Sequence, residues 1–416
     1  MKTAFLLTGN ELMSGDIVDS NSAEMAQMLF EIGLSVDTKV TVGDDVEALY
    51  SYMQSLSESH DVLIVNGGLG PTQDDLTASV LAKAAGVELR EHPQARAHLE
   101  DWCERRGVEL SAANLKQAIL PHGCRIIPND RGSAVGFELT LNSCRVMTTP
   151  GVPSELRIMF RDYIMPTLEA DHSISFDRLQ CFGLGESRIQ QMVHDQLPDW
   201  PNSVELGFRA GMPLLEVKLR SKGDASQHRA SLNALRGLLG DHVICEGSGK
   251  LPETLVSLLT HRGETMSCAE SCTGGRIASD ITGVPGASAI FQAGFVTYSN
   301  NMKCDMLGVN PTTLDEQGAV SEQTVIEMAE GAIKRANADW GIAVSGIAGP
   351  DGGSEDKPVG TVWIAWGKQG KLKTHRFRLR MERTAFQRMV SAIAIDLLRR
   401  DLLGITAEPS YFGRYL

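Results

Sequence analysis

Short runs of Val, Ile and Leu alternate along this chain with segments whose apolar residues recur at helical spacing. Residues 3–7 read as a buried strand that ends at Thr8-Gly9-Asn10-Glu11-Leu12. Residues 22–32 place Ala23, Ala26, Met28, Leu29 and Ile32 close to helical spacing, and Gly33 stops that helix. Residues 36–42 alternate like a strand, 45–57 form a second amphipathic helix, and 61–66 read as a central parallel strand. Helical spacing returns at 94–106 and at 112–119, and residues 154–160 and 163–168 close the first domain. The pattern breaks at 170–176. A smaller set follows: strands at 179–182, 204–209 and 214–219, with helices at 186–196 and 225–239. Gly247-Ser248-Gly249 marks a second boundary. After it come helices at 251–262, 276–281, 321–337 and 384–403, interleaved with strands at 265–268, 293–297, 340–344 and 361–366. Ser321 is the expected cap of the helix at 321–337. Alternating strands and helices predict an α/β protein: a doubly wound N-terminal domain, a small central α/β module and a C-terminal α/β domain. The expected boundaries are 1–170, 171–247 and 248–416.

A length of 416 residues agrees with two or three cores rather than one. The formal net charge of -13 argues against a general nucleic-acid binder, which needs a basic face. Eight scattered cysteines include no C-x-x-C pair, so free thiols in a reducing compartment are expected. The first apolar run is too short for a signal peptide, and no run has the length of a membrane span. The expected location is the cytoplasm. The central module carries no motif; Arg209, Lys218 and Arg220 on its alternating strands are expected to face water, and the module to serve in packing and self-association.

Two stretches carry candidate chemistry. In Ala269-Glu270-Ser271-Cys272-Thr273-Gly274-Gly275 a strand meets a turn and a helix start. That order sets a hydroxyl beside unpaired helix N–H groups, which favour an anion or a developing oxyanion. Ser271 is a candidate nucleophile; taken alone, the stretch fits better the role such residues play at most helix starts, with Ser271 or Thr273 as a simple cap. No histidine lies in this stretch, so a Ser-His-Asp triad is poorly supported; a lysine such as Lys303 can serve as a base only if burial lowers its pKa. The alternative for Lys303 is a solvated surface position. The second stretch is Asn66-Gly67-Gly68-Leu69-Gly70-Pro71-Thr72-Gln73-Asp74-Asp75. Its glycines expose N–H groups to a phosphate, and Asp74 and Asp75 suit a divalent cation shared with a diphosphate. A tight turn followed by a helix cap accounts for the same residues.

Together with Phe295-Val296-Thr297-Tyr298-Ser299-Asn300-Asn301-Met302-Lys303 and the loop Val344 to Ser354, the serine stretch resembles the C-terminal domain of the CinA family. Characterised members of that family are nicotinamide mononucleotide deamidases. The resemblance implies Ser271 as nucleophile, Lys303 as base and Tyr298 as its orienting or proton-relaying neighbour. With Ser271 as nucleophile, the backbone N–H groups of Cys272 and Thr273 would form the oxyanion site, and Cys272, Thr273 and Gly274 are expected among the substrate-binding residues. Ser345, Gly346, Gly349, Gly352 and Gly353 would then form the substrate loop, with Arg388 and Arg383 at the 5′-phosphate. Arg383 stands in Met381-Glu382-Arg383 where Gly-Asp-Arg is usual. No cofactor is expected for this reaction. The N-terminal stretch is similar to the MoaB-like, molybdopterin-binding domain of the same family, which is associated with metal-dependent ADP-ribose pyrophosphatase activity. The resemblance assigns Glu11, Asn21, Gly67, Gly68, Gly70 and Thr72 to a nucleotide site, and Asp74 and Asp75 to the metal. A homodimer is implied, without nucleic-acid or membrane partners. A nucleotide- or pterin-binding, competence-related protein without catalysis is the alternative.

Overall fold

The computed structural model of the chain describes residues 1–169 and 173–414. The boundary expected at 170–171 falls on residues outside those described. The chain forms two compact units, Met1–Ile174 and Ser175–Leu416. Among the described residues no helix is long and apolar enough to cross a membrane.

The first unit is built on a six-stranded sheet in the order Val36–Val42, Thr3–Thr8, Val62–Asn66, Cys144–Thr149, Gly136–Leu141 and Arg125–Ile127. The first four strands run parallel; the last two continue antiparallel. Its central strands are nearly all apolar because both faces are covered. Leu6, Leu63, Val65 and Val146 enter one core, while Phe5, Leu7, Ile64 and Met147 enter the other. This is the two-residue period of a strand feeding two layers of helices. The helix expected at 112–119 is cut short. One turn, Ala112–Leu115, passes through a 3-10 turn, Lys116–Ala118, into the strand Ile119–Pro121. That strand pairs with Leu89–Glu91, and proline is not compatible with a continued helix.

The second unit contains two sheets. A four-stranded sheet has the order Val204–Ala210, Leu215–Lys222, Ile174–Cys181 and Val243–Glu246. Here Arg209 and Lys218 do not simply face water. Both pair with Glu216, which is buried and also meets Arg178 and Gln180. Those neighbours hold the Glu216 carboxyl below its ordinary range against the opposing effect of burial.

The five-stranded sheet has the order Phe291–Val296, Met266–Glu270, Trp340–Gly346, Thr361–Lys368 and Lys371–Arg378. Its first three strands are parallel and the rest antiparallel. Alternation again splits neighbours between cores, with Cys268, Ile342 and Val344 on one side and Ala269 and Ala343 on the other. The final helix, Arg383–Leu402, is buried along most of its length against this sheet. Its buried Asp396 is satisfied by Arg399 and by the Tyr411 hydroxyl from the tail.

Candidate active site

Ser271 follows directly on the strand Met266–Glu270, at the carboxyl edge of the parallel strands, where such sheets place ligands. Its N–H donates to the Val344 carbonyl, so the serine is anchored to the neighbouring strand. Lys303 lies on the helix Asn300–Leu307, which Ser299 caps through the Met302 N–H. Lys303 is 1% exposed, and its Nζ stands 3.2 Å from the Ser271 Oγ. The same nitrogen donates to the carbonyls of Thr297 at 2.9 Å and Tyr298 at 3.4 Å. Burial pushes its pKa below that of an ordinary lysine. A neutral amine has two N–H donors and one lone pair. As an ammonium the group donates to Ser271 Oγ and to both carbonyls; in the neutral form the two carbonyls match its donors, and its lone pair is left for the serine hydroxyl.

The helix N-terminus expected to serve an oxyanion is already occupied. The helix after the serine turn is Arg276–Thr282, and Glu270, 0% exposed, lies at its start. The Glu270 carboxylate accepts from the N–H groups of Gly275 and Ile277, both at 3.1 Å, and Ala278 at 2.9 Å. Those donors therefore fix the turn rather than meet a ligand. Among the described residues, the N–H groups of Cys272 and Thr273 find no carbonyl acceptor, and the buried Thr273 and Thr297 hydroxyl oxygens have no partner. These are the groups beside Ser271 with hydrogen-bonding capacity to spare. The Cys272 thiol is buried and pushed up to about 12 by burial, which makes it inert at neutral pH.

Tyr298 contributes differently from the expectation. Its side chain is 61% exposed and accepts at its hydroxyl from Arg383, at 2.9 Å; only its backbone carbonyl touches Lys303. Arg383 also donates to the Gly349 carbonyl at 2.8 Å, so one guanidinium joins the loops on either side of the serine. Arg388 does not join it. Five residues along a helix are about 140° around the axis, and Arg388 lines a different cavity. Gln387, four residues after Arg383, takes the serine side and donates to the Cys272 carbonyl at 2.9 Å. Ser345 is also corrected, because its hydroxyl donates to the Ala319 carbonyl at 2.6 Å and is committed to the fold. At Gly346 a Cβ would stand 2.7 Å from the Thr361 carbonyl oxygen, so chain packing accounts for that glycine. Gly349, Gly352 and Gly353 remain in the loop that Arg383 grips. Glu270, Thr297 and Gln387 were missed from the sequence. The available signals were an acid inside an apolar strand and the four-residue step from Arg383.

In the first unit a cavity of about 450 Å³ opens at the strand ends. Glu11, Gly67, Gly68, Gly70, Asp74 and Asp75 border it. Asn21 and Thr72 do not. Asn21 donates to Asn66 and to the Gly151 carbonyl, which binds two loops together, and Thr72 donates to the Asp75 carboxylate. Gly67 is required by packing, since a Cβ there would lie 2.5 Å from the Thr8 carbonyl oxygen. Three of the carboxylates around the cavity have internal donors: Asp44 holds Thr8 and Asn10, Asp75 holds Thr72, and Glu155 holds Asn129. Among the described residues no group of three His, Cys, Asp or Glu side chains converges to hold a metal ion. Asp74 and Asp75 are oxygen donors of the kind a hard divalent cation takes, but they do not constitute a preformed metal centre.

Residues 4–170 match the family described as probable molybdopterin binding domain, and residues 248–402 match the CinA C-terminal domain. A protein of Colwellia psychrerythraea named CinA-like protein is 52% identical over 421 residues, covering 99% of this chain and 98% of its own length. A Shewanella oneidensis protein named nicotinamide-nucleotide amidohydrolase PncC is 42% identical over 426 residues, covering 100% of each. A crystal structure of a CinA superfamily protein from Klebsiella pneumoniae is 37% identical, covering 37% of this chain and 96% of its own, with a TM-score of 0.36.

Proposed function

The chain belongs to the CinA family, and from that premise we propose that its C-terminal domain hydrolyses the carboxamide of nicotinamide mononucleotide to nicotinic acid mononucleotide and ammonia. The observation that carries this reading is the buried Lys303 amine 3.2 Å from the Ser271 hydroxyl. The name of the Shewanella oneidensis relative supports the choice of substrate. Ser271 Oγ attacks the amide carbon while neutral Lys303 takes its proton. The N–H groups of Cys272 and Thr273 receive the oxyanion. The Lys303 ammonium then returns the proton to the departing nitrogen, the C–N bond breaks, and ammonia leaves an ester on Ser271. Water attacks that ester, Lys303 takes the water's proton and passes it to the serine oxygen, and the carboxylic acid is released. The bonds Lys303 makes to two carbonyls hold it in place through both halves. Arg383 stands ready to exchange its neutral partners, Tyr298 and Gly349, for the substrate's phosphate.

Ammonia release from nicotinamide mononucleotide, measured without metal, tests the reading. Ser271→Ala and Lys303→Ala should each lower kcat by about 10²–10⁴-fold with the fold retained. Full activity in Ser271→Ala would reject covalent catalysis, and an inactive wild type would favour a binding protein.

A second reading concerns the first unit. Its glycine-edged cavity favours a phosphorylated nucleotide, and ADP-ribose with a divalent cation is the candidate substrate. Release of AMP from ADP-ribose with added magnesium or manganese tests it, and Asp74→Asn should abolish any such release.

A further inference from the structure

A second cavity in the Ser175–Leu416 unit, of about 360 Å³, has no part in the reaction above. Three elements enclose it. The hairpin tip Met212-Pro213-Leu214 of the four-stranded sheet forms one side. Lys250, Leu251 and Pro252, at the start of the helix Leu251–Arg262, form another. Arg276 and Asp280 of the short helix, with Arg388, Ala392 and Ile395 of the last helix, complete it. Three cations thus face one carboxylate in a chain whose net charge is -13. The carboxylate is already committed, since Asp280 lies 3.1 Å from Arg276 and accepts from Ser391 at 2.7 Å. Among the described residues Lys250 and Arg388 make no ion pair within 4.0 Å; the acids beside them are Glu253, which accepts the Lys250 N–H at 3.0 Å, and Glu382, on which Arg388 acts at longer range. The rest of the lining is aliphatic. A concave, aliphatic chamber with surplus positive charge at its edge selects an anion with an apolar body, and its volume is that of a small-metabolite site.

We propose that this cavity is an effector site for a small phosphorylated or carboxylated metabolite with an aromatic or aliphatic body, and that its occupancy is felt at the serine turn. The coupling is mechanical. The short helix that carries Arg276 and Asp280 is the one whose N-terminus the Glu270 carboxylate holds beside Ser271. The last helix, which carries Arg388 and Ile395 to the cavity, carries Gln387 to the Cys272 carbonyl. A ligand bridging these two helices fixes the two supports of the serine turn at once. The central module, which has no motif of its own, thereby supplies one wall of a binding site.

The test uses the full-length protein and phenyl phosphate, with inorganic phosphate as the comparison. Calorimetric titration should show phenyl phosphate binding at least tenfold more tightly than phosphate, because the apolar lining holds the ring. Lys250→Glu and Met212→Glu, both at exposed positions, should each weaken that binding at least tenfold while leaving ammonia release without effector unchanged. Hydrogen exchange at residues 271–278 should slow on saturation in the wild type and not in either variant. Binding indifferent to both substitutions, including binding confined to the nucleotide cavity of the first unit, overturns the proposal. So does the absence of binding at millimolar phenyl phosphate. Binding that leaves exchange at 271–278 unchanged overturns the coupling.

Discussion

Glu270→Ala is the substitution that most directly probes how the serine is held. The wild-type carboxylate accepts three backbone N–H groups, at 3.1, 3.1 and 2.9 Å, from inside the protein. Truncation removes all three acceptors and the anion at the helix N-terminus. A buried donor left without an acceptor costs about 1–3 kcal/mol, and water that enters the space recovers part of it. A net loss of about 3–5 kcal/mol follows, a large part of the roughly 5–15 kcal/mol that stabilises a domain. At about 2–4 °C per kcal/mol for a unit of this size, the midpoint should fall by roughly 6–20 °C. Glu270→Gln should lose about half as much. The N–H groups of Gly275 and Ile277 share one carboxylate oxygen and Ala278 uses the other, so an amide satisfies only one of the two sets. The assay is thermal and urea unfolding followed together with ammonia release at a temperature where both variants remain folded. kcat should drop in parallel with stability, whereas the pH midpoint of the reaction should stay in place, because Lys303 keeps its own partners. A midpoint for Glu270→Ala within about 2 °C of wild type would refute the claim that this carboxylate holds the turn.

Three further outcomes are expected. Catalysis that needs neutral Lys303 should give a kcat/KM that rises with pH and levels off below the pH at which an ordinary lysine titrates, because burial lowers its pKa; a flat profile across that range would argue against the lysine base. Tyr298→Phe removes the acceptor of Arg383 but keeps the carbonyl that holds Lys303, so KM should change by about fivefold, the worth of one hydrogen bond, with the pH profile unmoved. Ser345→Ala deprives the Ala319 carbonyl of its donor, so stability should fall by about 1–2 kcal/mol in urea unfolding while kcat/KM stays within about twofold; a selective rise in KM would return Ser345 to the substrate loop.

Much of the architecture was legible in the chain because it follows from local periodicity. The apolar run before Asn66 and the alternation at residues 36–42 report burial on two faces or one, and each appears as the strand expected. The helix at 251–262 has the same limits by spacing and by structure. The shortened helix after Ala112 was not legible, because the outcome turned on pairing between Ile119–Pro121 and Leu89–Glu91, about thirty residues away.

The site divides along the same line. Residue types and their order in the chain singled out Ser271, the glycine loops and the paired aspartates, and the resemblance to the CinA family added Lys303. What each group can do was decided by contacts between distant segments. Ser271 and Lys303 are 32 positions apart, and only the packing of the helix Asn300–Leu307 buries the amine and lowers its pKa. The choice of Gln387 over Arg388 depends on which face of the last helix meets the serine turn. Asn21 and Thr72 look like ligand residues until Gly151 and Asp75 are seen to take their donors. Local sequence determines which elements form and which side chains are available, since periodicity and turn chemistry act over a few residues. Protonation, orientation and spare hydrogen-bonding capacity depend on desolvation and on partners from remote segments, and those exist only once the tertiary structure has formed.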